Sequence, residues 1–105
     1  MTKQNVQTPI HPGEILKEEF LVPYKLSANR LALAIGVAPN RITAIINGTR
    51  AITGETAILL GQAFKTTPEF WVNLQTHYEL ELARTQVTQE RIKGAEALSR
   101  ELCLA

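Results

Sequence analysis

A short stretch near the middle of the chain carries side chains that suit contact with the bases of DNA. Asn40 and Arg41 are followed closely by Thr43 and Ala44. Arginine can bond guanine through two N–H groups, asparagine can pair with adenine in the same way, and the methyl groups of threonine and alanine can contact the methyl of thymine. These side chains therefore have the chemistry that contact with base edges in the major groove requires.

Polar and basic residues on both sides of that stretch suit contact with phosphate. Short polar side chains at a helix start, beside free backbone N–H groups, are typical of anion binding. Each could equally be a solvated surface residue. The residues of this kind are Ser27, Asn29, Arg30, Asn47, Thr49 and Arg50, with Lys25 adding positive charge at the edge.

The net charge of +1 hides an uneven distribution. Residues 1–66 contain seven Lys or Arg and four Glu, whereas residues 67–105 contain four Lys or Arg and six Glu. No acidic residue occurs between Glu19 and Glu55, although Lys25, Arg30 and Arg41 lie in that interval. A basic stretch without acids indicates a surface free of carboxylates that faces a polyanion.

The elements that must position these side chains are two short helices. Ser27 is a favourable N-cap for a helix that runs to Ile35, and Gly36 suits the left-handed residue that ends it. Pro39 then starts a helix that reaches about Asn47. Such a pair, joined by a tight turn, is typical of a helix-turn-helix, whose second helix enters the major groove. Two helices of an ordinary helical core would need the same residue types.

The whole chain is predicted to be all-α, with five helices in one domain. Residues 1–10 are expected to form a flexible arm, residues 11–83 the helix-turn-helix domain, and residues 84–105 a tail that could form a further helix, with Thr88 as a cap. The first helix is predicted to begin at His11 and Pro12 and to end at Pro23.

Apolar spacing predicts which side chains form the core. Ile42 and Ile45 are expected to point inward from the third helix, and Ala32 allows a close helix crossing. Phe70 and Leu74 are assigned to the core, whereas Trp71 fits either the core or a dimer interface. The packing positions predicted on the fourth helix are Ala57, Ile58, Leu60, Gly61 and Phe64.

Composition narrows the class of protein. A chain of 105 residues suits one domain, and its single cysteine cannot form an internal disulfide. No apolar run approaches the ~18 residues of a membrane span, and the N-terminus lacks the pattern of a signal peptide. We therefore expect a cytoplasmic protein without a membrane partner.

Two histidine–glutamate pairs are the only arrangement that suggests metal or acid–base chemistry. His11 and Glu14 lie three positions apart, and His77 and Glu81 four apart. A catalytic zinc site needs three protein ligands, and neither pair has a third at a suitable spacing. The sequence contains no phosphate-binding glycine loop and no nucleophile motif. We predict no catalytic residue, metal, cofactor or small-molecule substrate, and hence no enzyme.

Residues 11–81 resemble the HigA-type antitoxins, a branch of the phage-repressor-like (XRE) helix-turn-helix family. The matching segments are HPGEILKEEFL (11–21), LSANRLALAIGV (26–37), NRITAIINGTRAIT (40–53) and TPEFWVNLQ (67–75). The resemblance implies a five-helix repressor domain that acts as a homodimer on double-stranded operator DNA, represses its own operon and neutralises a HigB-type toxin that cleaves mRNA. It also places Asn40, Arg41, Thr43 and Ala44 at base-reading positions. The same resemblance implies that phosphate is bound by Ser27, Asn29, Arg30, Asn47, Thr49 and Arg50.

Two departures from the family pattern leave the operator sequence open. Ala28 stands where phage repressors often have a glutamine that contacts DNA, and Val37-Ala38-Pro39 lacks a Ser or Thr cap before the recognition helix. Two other functions also remain open. One is a plain XRE-type repressor without a toxin partner; the other is a protein-binding module that uses its acidic C-terminal portion and no longer depends on DNA.

Overall fold

The computed structural model describes residues 8–104, and within that range the chain is helical with no strand. The all-α prediction is confirmed, but the count of five helices is one short because the tail also forms a helix. Residues 1–7 of the predicted N-terminal arm lie outside the described range. The helices are α1 (Pro12–Ile15), which continues into a π-helical stretch (Leu16–Leu21), α2 (Ala28–Ile35), α3 (Pro39–Ile46), α4 (Gly54–Phe64), α5 (Pro68–Arg84) and α6 (Gln89–Glu101).

Most helices begin where local chemistry requires it. The hydroxyl groups of Ser27, Thr53, Thr67 and Thr88 each accept a backbone N–H of the helix that follows. Pro12, Pro39 and Pro68 occupy first helical positions, where a missing N–H costs nothing. These features depend only on neighbouring residues, and the predicted helix starts agree with them.

The first helix differs from the uniform helix predicted between residues 11 and 23. After Ile15 its backbone bonding widens to the π pattern, in which the N–H of Val22 reaches the carbonyl of Lys17 at 2.9 Å. In this pattern residues five apart lie closer to the same side of the helix than in an α-helix. Leu16 and Leu21, which are five apart, are both buried.

One hydrophobic core joins α1 to α5. Its buried members are Leu16, Leu21, Leu31, Ala32, Ile42, Ile45, Ile52, Ala57, Leu60 and Trp71. The predicted inward positions of Ala32, Ile42 and Ile45 are confirmed, since all three are fully buried. Trp71 belongs to this core and donates its indole N–H to the Thr66 hydroxyl at 2.7 Å.

Two predicted core positions are wrong. Ile58 is 55% exposed because Ala57, Leu60 and Gly61 turn toward the core and leave the neighbouring position on the solvent side of α4. Phe70 is 38% exposed because its neighbour Trp71, which is fully buried, takes the core-facing side of α5. The ring of Phe70 packs edge-on against Trp71, with 5.0 Å between ring centroids.

Gly13 allows α1 to cross α3 at very short range. A Cβ built at Gly13 would overlap the carbonyl oxygen of Ile45 and lie 2.5 Å from its carbonyl carbon. Both groups belong to backbone and cannot move aside as a side chain would. The crossing therefore requires glycine and holds α3 against the rest of the domain.

The C-terminal helix α6 contributes nothing to the core of the described chain. None of its residues is buried, and Leu98 and Leu102 are more than half exposed. Between residues 8 and 104, no helix has both the length and the apolar character that crossing a bilayer requires. The helices α1–α5 thus form the packed unit that positions the candidate site.

Candidate nucleic-acid interface

The turn between α2 and α3 has the geometry that the sequence predicts. Gly36 adopts φ 76°, in the left-handed region, and its N–H closes α2 by bonding to the carbonyl of Ala32. A Cβ there would meet no neighbouring atom, so the backbone angle and not space is what favours glycine. The turn ends at Ala38, which precedes α3 without a side-chain cap.

Helix α3 presents one face to the core and another to solvent. Ile42 and Ile45 are fully buried, whereas Asn40 and Thr43 are exposed and Ala44 is half-buried. This alternation fixes the axial rotation of the helix, because turning it would expose both isoleucines. The four predicted base-reading residues therefore share the accessible side of α3, with Arg41 partly covered.

The two threonines near α3 use their hydroxyl groups internally. Thr43 donates to the carbonyl of Pro39 at 3.2 Å, which leaves its methyl group as the part available for apolar contact. Thr49 donates to the carbonyl of Ala44 at 3.2 Å, and its N–H bonds the same oxygen at 2.9 Å. Thr49 thus closes the end of α3, a structural role that the sequence did not indicate.

The predicted phosphate-binding residues lie at the two ends of the motif. Ser27 caps α2 by accepting the N–H of Arg30 at 3.0 Å, so its own hydroxyl proton remains free to donate. Asn29 and Arg30 are exposed in the first turn of α2, and Asn47 and Arg50 are exposed after α3. The charged side chains can reach a ligand without loss of buried packing.

A shallow groove of about 390 Å³ adds a lysine that the sequence prediction missed. It lies beside the start of α2 and is lined by Lys17, Lys25 and Ser27, together with apolar residues. The sequence pattern gives Lys17 no role at this surface. Lys17 and Ser27 line the same groove only because of how the first helix packs in the fold, so no local pattern could reveal it.

The prediction that this surface is free of carboxylates is wrong at one position. Glu55, in the first turn of α4, accepts a hydrogen bond from the Nη1 of Arg41 at 3.2 Å. The side chain of Glu55 is 73% exposed and that of Arg41 is 29% exposed. The two residues are separated by 14 positions, and only the fold brings the start of α4 beside α3.

The loop that follows α3 is held by a buried amide that the sequence prediction also missed. Gln75 is 7% exposed, and its Oε1 accepts the N–H of Ile52 at 2.9 Å. Its Nε2 donates to Glu79 at 2.9 Å. Because a buried backbone N–H is costly to leave unpaired, Gln75 fixes the loop that carries Thr49 and Arg50 to α5.

His11 has a structural role at the start of α1. Its Nδ1 accepts the N–H of Gly13 at 2.9 Å, and its ring packs edge-on against Tyr78 with 4.8 Å between centroids. Burial lowers the pKa of His11 below its usual value, and this effect outweighs a hydrogen bond with the Arg50 backbone and the charge of Glu14, which both raise it. The fold therefore favours neutral histidine.

This preference predicts a pH dependence of stability. The pKa of His11 is lower in the folded chain than in the unfolded chain, so its contribution to the free energy of unfolding is complete above pH ~6.5 and is lost as the pH falls through the folded pKa. We expect His11→Asn, which retains capping ability, to reduce the loss of stability between pH 7 and 5. Urea unfolding at several pH values measures this.

His77→Asn is the matched control, because His77 is exposed on α5. Equal flattening of the pH profile by both variants would contradict the role of His11.

Neither histidine–glutamate pair belongs to a larger group of potential metal ligands. Among residues 8–104, no three potential metal-ligating side chains come together.

Comparisons with known proteins agree with this geometry. A family profile described as helix-turn-helix matches residues 16–71. The chain is 38% identical over 88 residues to antitoxin HigA-1 of Vibrio cholerae, and the alignment covers 84% of this chain and 83% of that protein. It is 39% identical over 101 residues to the uncharacterized HTH-type transcriptional regulator YbaQ of Escherichia coli, covering 95% and 89% of the two chains.

The chain is also similar to a protein of known structure. The structure of the Pseudomonas aeruginosa antitoxin HigA with the higBA promoter superposes with a TM-score of 0.73 and is 42% identical in sequence. The match covers 74% of this chain and 85% of that one. The fold, the family profile and the relatives all point to the same class of protein.

Proposed function

Because this chain belongs to the helix-turn-helix family, within the group that includes the HigA antitoxins, we propose that it is an antitoxin that binds its own operator as a homodimer. It represses its operon and neutralises a HigB-type toxin. The observation that carries the DNA-binding part is the fixed rotation of α3, in which buried Ile42 and Ile45 hold the polar side outward. The structural similarity to an antitoxin solved with its promoter supports the same assignment.

In this proposal α3 lies in the major groove and α2 rests on the backbone. Arg41 bonds guanine and Asn40 reads adenine. The methyl of Thr43 contacts thymine, a role supported by the engagement of its hydroxyl with Pro39. Ala44 offers a second methyl beside it.

Phosphate contacts set the position of the motif on the duplex. The residues proposed for this role are Ser27, Asn29, Arg30, Asn47, Thr49 and Arg50. Ser27 and Asn29 act beside the free N–H groups of the α2 start, where anions bind favourably. Thr49 can donate its hydroxyl hydrogen to a phosphate only after its bond to Ala44 is broken, so we assign it the weakest contact of the set.

A second copy of the chain is needed to recognise a full operator, because a recognition helix as short as α3 contacts few bases. Two copies place two such helices about 34 Å apart on one face of the duplex. We assign the dimer interface to the C-terminal region, since α6 has no buried residue, and Leu98 within it and Leu102 directly after it are both exposed. A short helix gains most of its stability from packing, which a partner copy would supply.

Toxin neutralisation is an interface function that requires no catalysis by this chain. The C-terminal portion is acidic and suits a basic, RNA-cutting partner. Its glutamates are Glu79, Glu81, Glu90, Glu96 and Glu101.

The alternative is a plain repressor without a toxin, which the similarity to YbaQ favours. A short basic toxin in the adjacent reading frame would decide for the antitoxin, and an unrelated neighbour would decide for the repressor.

The test of the proposal is binding to the chain's own promoter. We expect a footprint on a palindromic site and an affinity that falls on the order of 10³-fold or more between roughly 50 and 200 mM salt, because phosphate contacts release counterions. Addition of the co-encoded toxin should change the operator affinity if the two functions are linked. Binding of equal strength to promoter and to random DNA would contradict sequence-specific recognition.

A further inference from the structure

The ion pair between α3 and α4 contributes little to folding. An arginine–carboxylate pair at the protein surface contributes little stability, because water screens it and both long side chains lose freedom. Glu55 is largely exposed, and a single hydrogen bond of 3.2 Å links it to Arg41. Yet it places the one carboxylate of α4 directly beside a residue proposed to read bases.

We propose that Glu55 is a positioning residue that sets the DNA specificity of this chain by holding Arg41 and withholding its charge from phosphate. This inference rests on the proposed function, and it adds a residue to which the family resemblance gives no role. It concerns how Arg41 distinguishes the operator from other DNA.

The chemistry of the guanidinium group permits both contacts at once. Arginine has five N–H donors, and Glu55 engages Nη1 alone. The remaining donors suffice for the two parallel bonds to O6 and N7 of guanine. A guanidinium that is already held loses less rotamer freedom on binding, which favours the one base that fits its fixed orientation.

The carboxylate also lowers the affinity for DNA of random sequence. Non-specific binding depends on the number of phosphates that the protein neutralises. A carboxylate beside Arg41 cancels much of its charge and so weakens the attraction of Arg41 for a nearby phosphate. On the operator, two hydrogen bonds to guanine compensate for that weaker attraction, whereas on random DNA nothing does. Glu55 therefore weakens non-specific binding more than operator binding.

The test compares the wild-type chain with Glu55→Gln on the operator and on random duplex DNA. We expect the ratio of the two affinities to fall about three- to tenfold, with tighter binding to random DNA and a steeper salt dependence there. Glu69→Gln is the matched control, because Glu69 is likewise an exposed acid at the second position of a helix, α5. That variant should leave the ratio unchanged.

A double-mutant cycle separates positioning from general repulsion. In an Arg41→Ala background, Glu55→Gln should no longer change the affinity ratio. An equal change in both backgrounds would show that Glu55 repels DNA independently of Arg41 and would overturn the proposal. An unchanged ratio in the wild-type background would overturn it as well.

Stability and function are checked separately. Glu55 also lies at the positive end of α4, so thermal unfolding must show that the variant remains folded at the assay temperature. If Glu55→Gln unfolds, Glu55→Asp retains the charge but shortens the side chain, and it should lower discrimination at the base pair that Arg41 reads. Unchanged discrimination in Glu55→Asp would overturn the proposal. Failure of the wild-type chain to bind its promoter would instead contradict the proposed function itself.

Discussion

Replacing Gly13 with alanine should destabilise the domain severely. The added Cβ would overlap the backbone carbonyl oxygen of Ile45, and neither backbone can move without separating α1 from α3. Overpacking of a core side chain costs about 1–3 kcal/mol, and a clash between two backbones should exceed that range. Urea unfolding followed by circular dichroism measures the loss.

Gly94→Ala is the matched control for this substitution. Gly94 lies within α6, and a Cβ there would meet no atom within 4 Å. Alanine should favour the helix by roughly 1 kcal/mol, because glycine is a poor helix former. A folded Gly13→Ala chain with the urea midpoint of the wild type would show that α1 and α3 do not cross at Gly13.

Replacing Arg41 with alanine should weaken operator binding by about 1–3 kcal/mol, on the order of a 5- to 150-fold loss of affinity, and should remove the preference at one base pair. The physical reason is the loss of two hydrogen bonds to a single guanine in a desolvated groove. The free energy of unfolding should change by no more than about 1 kcal/mol, since the lost ion pair is a surface contact. Titration of the operator and its single-base variants measures the affinity and the base preference, and urea unfolding measures the stability.

Arg84→Ala removes the same charge and another surface ion pair, with Glu81, on α5. This control should bind the operator as the wild type does, with an unchanged oligomeric state by size exclusion. Arg50→Ala should weaken binding to all sequences alike, because it removes a phosphate contact. An Arg41→Ala chain that retains both its affinity and its base preference would contradict the assignment of α3 as the recognition helix.

Features that depend on neighbouring residues could be predicted from the sequence. The left-handed turn at Gly36, the cap at Ser27 and the inward direction of Ile42 all follow from chemistry within one or two helical turns. The identity of the exposed residues on α3 follows as well, because burial of two isoleucines orients the helix. Local sequence patterns therefore suffice to predict much of the candidate site.

The pattern of an amphipathic helix does not decide which of two neighbouring apolar residues is buried in the core. Phe70 and Trp71 have similar apolar character, and spacing alone does not say which of them the core accepts. The rings of Phe20 and Phe64 lie about 5.0 and 6.4 Å from Trp71 and leave Phe70 at the surface. The choice depends on the shape of a cavity that several helices build together.

By itself the sequence determined the helices, their caps, the turn and the polar residues available for DNA, since each is a local property of backbone and side chain. The tertiary structure alone decided which distant residues meet. It placed Glu55 on Arg41, Gln75 on the Ile52 backbone and Gly13 against Ile45, pairs that are 14 to 32 positions apart. Contacts of this kind depend on how whole helices pack, and no local pattern encodes them.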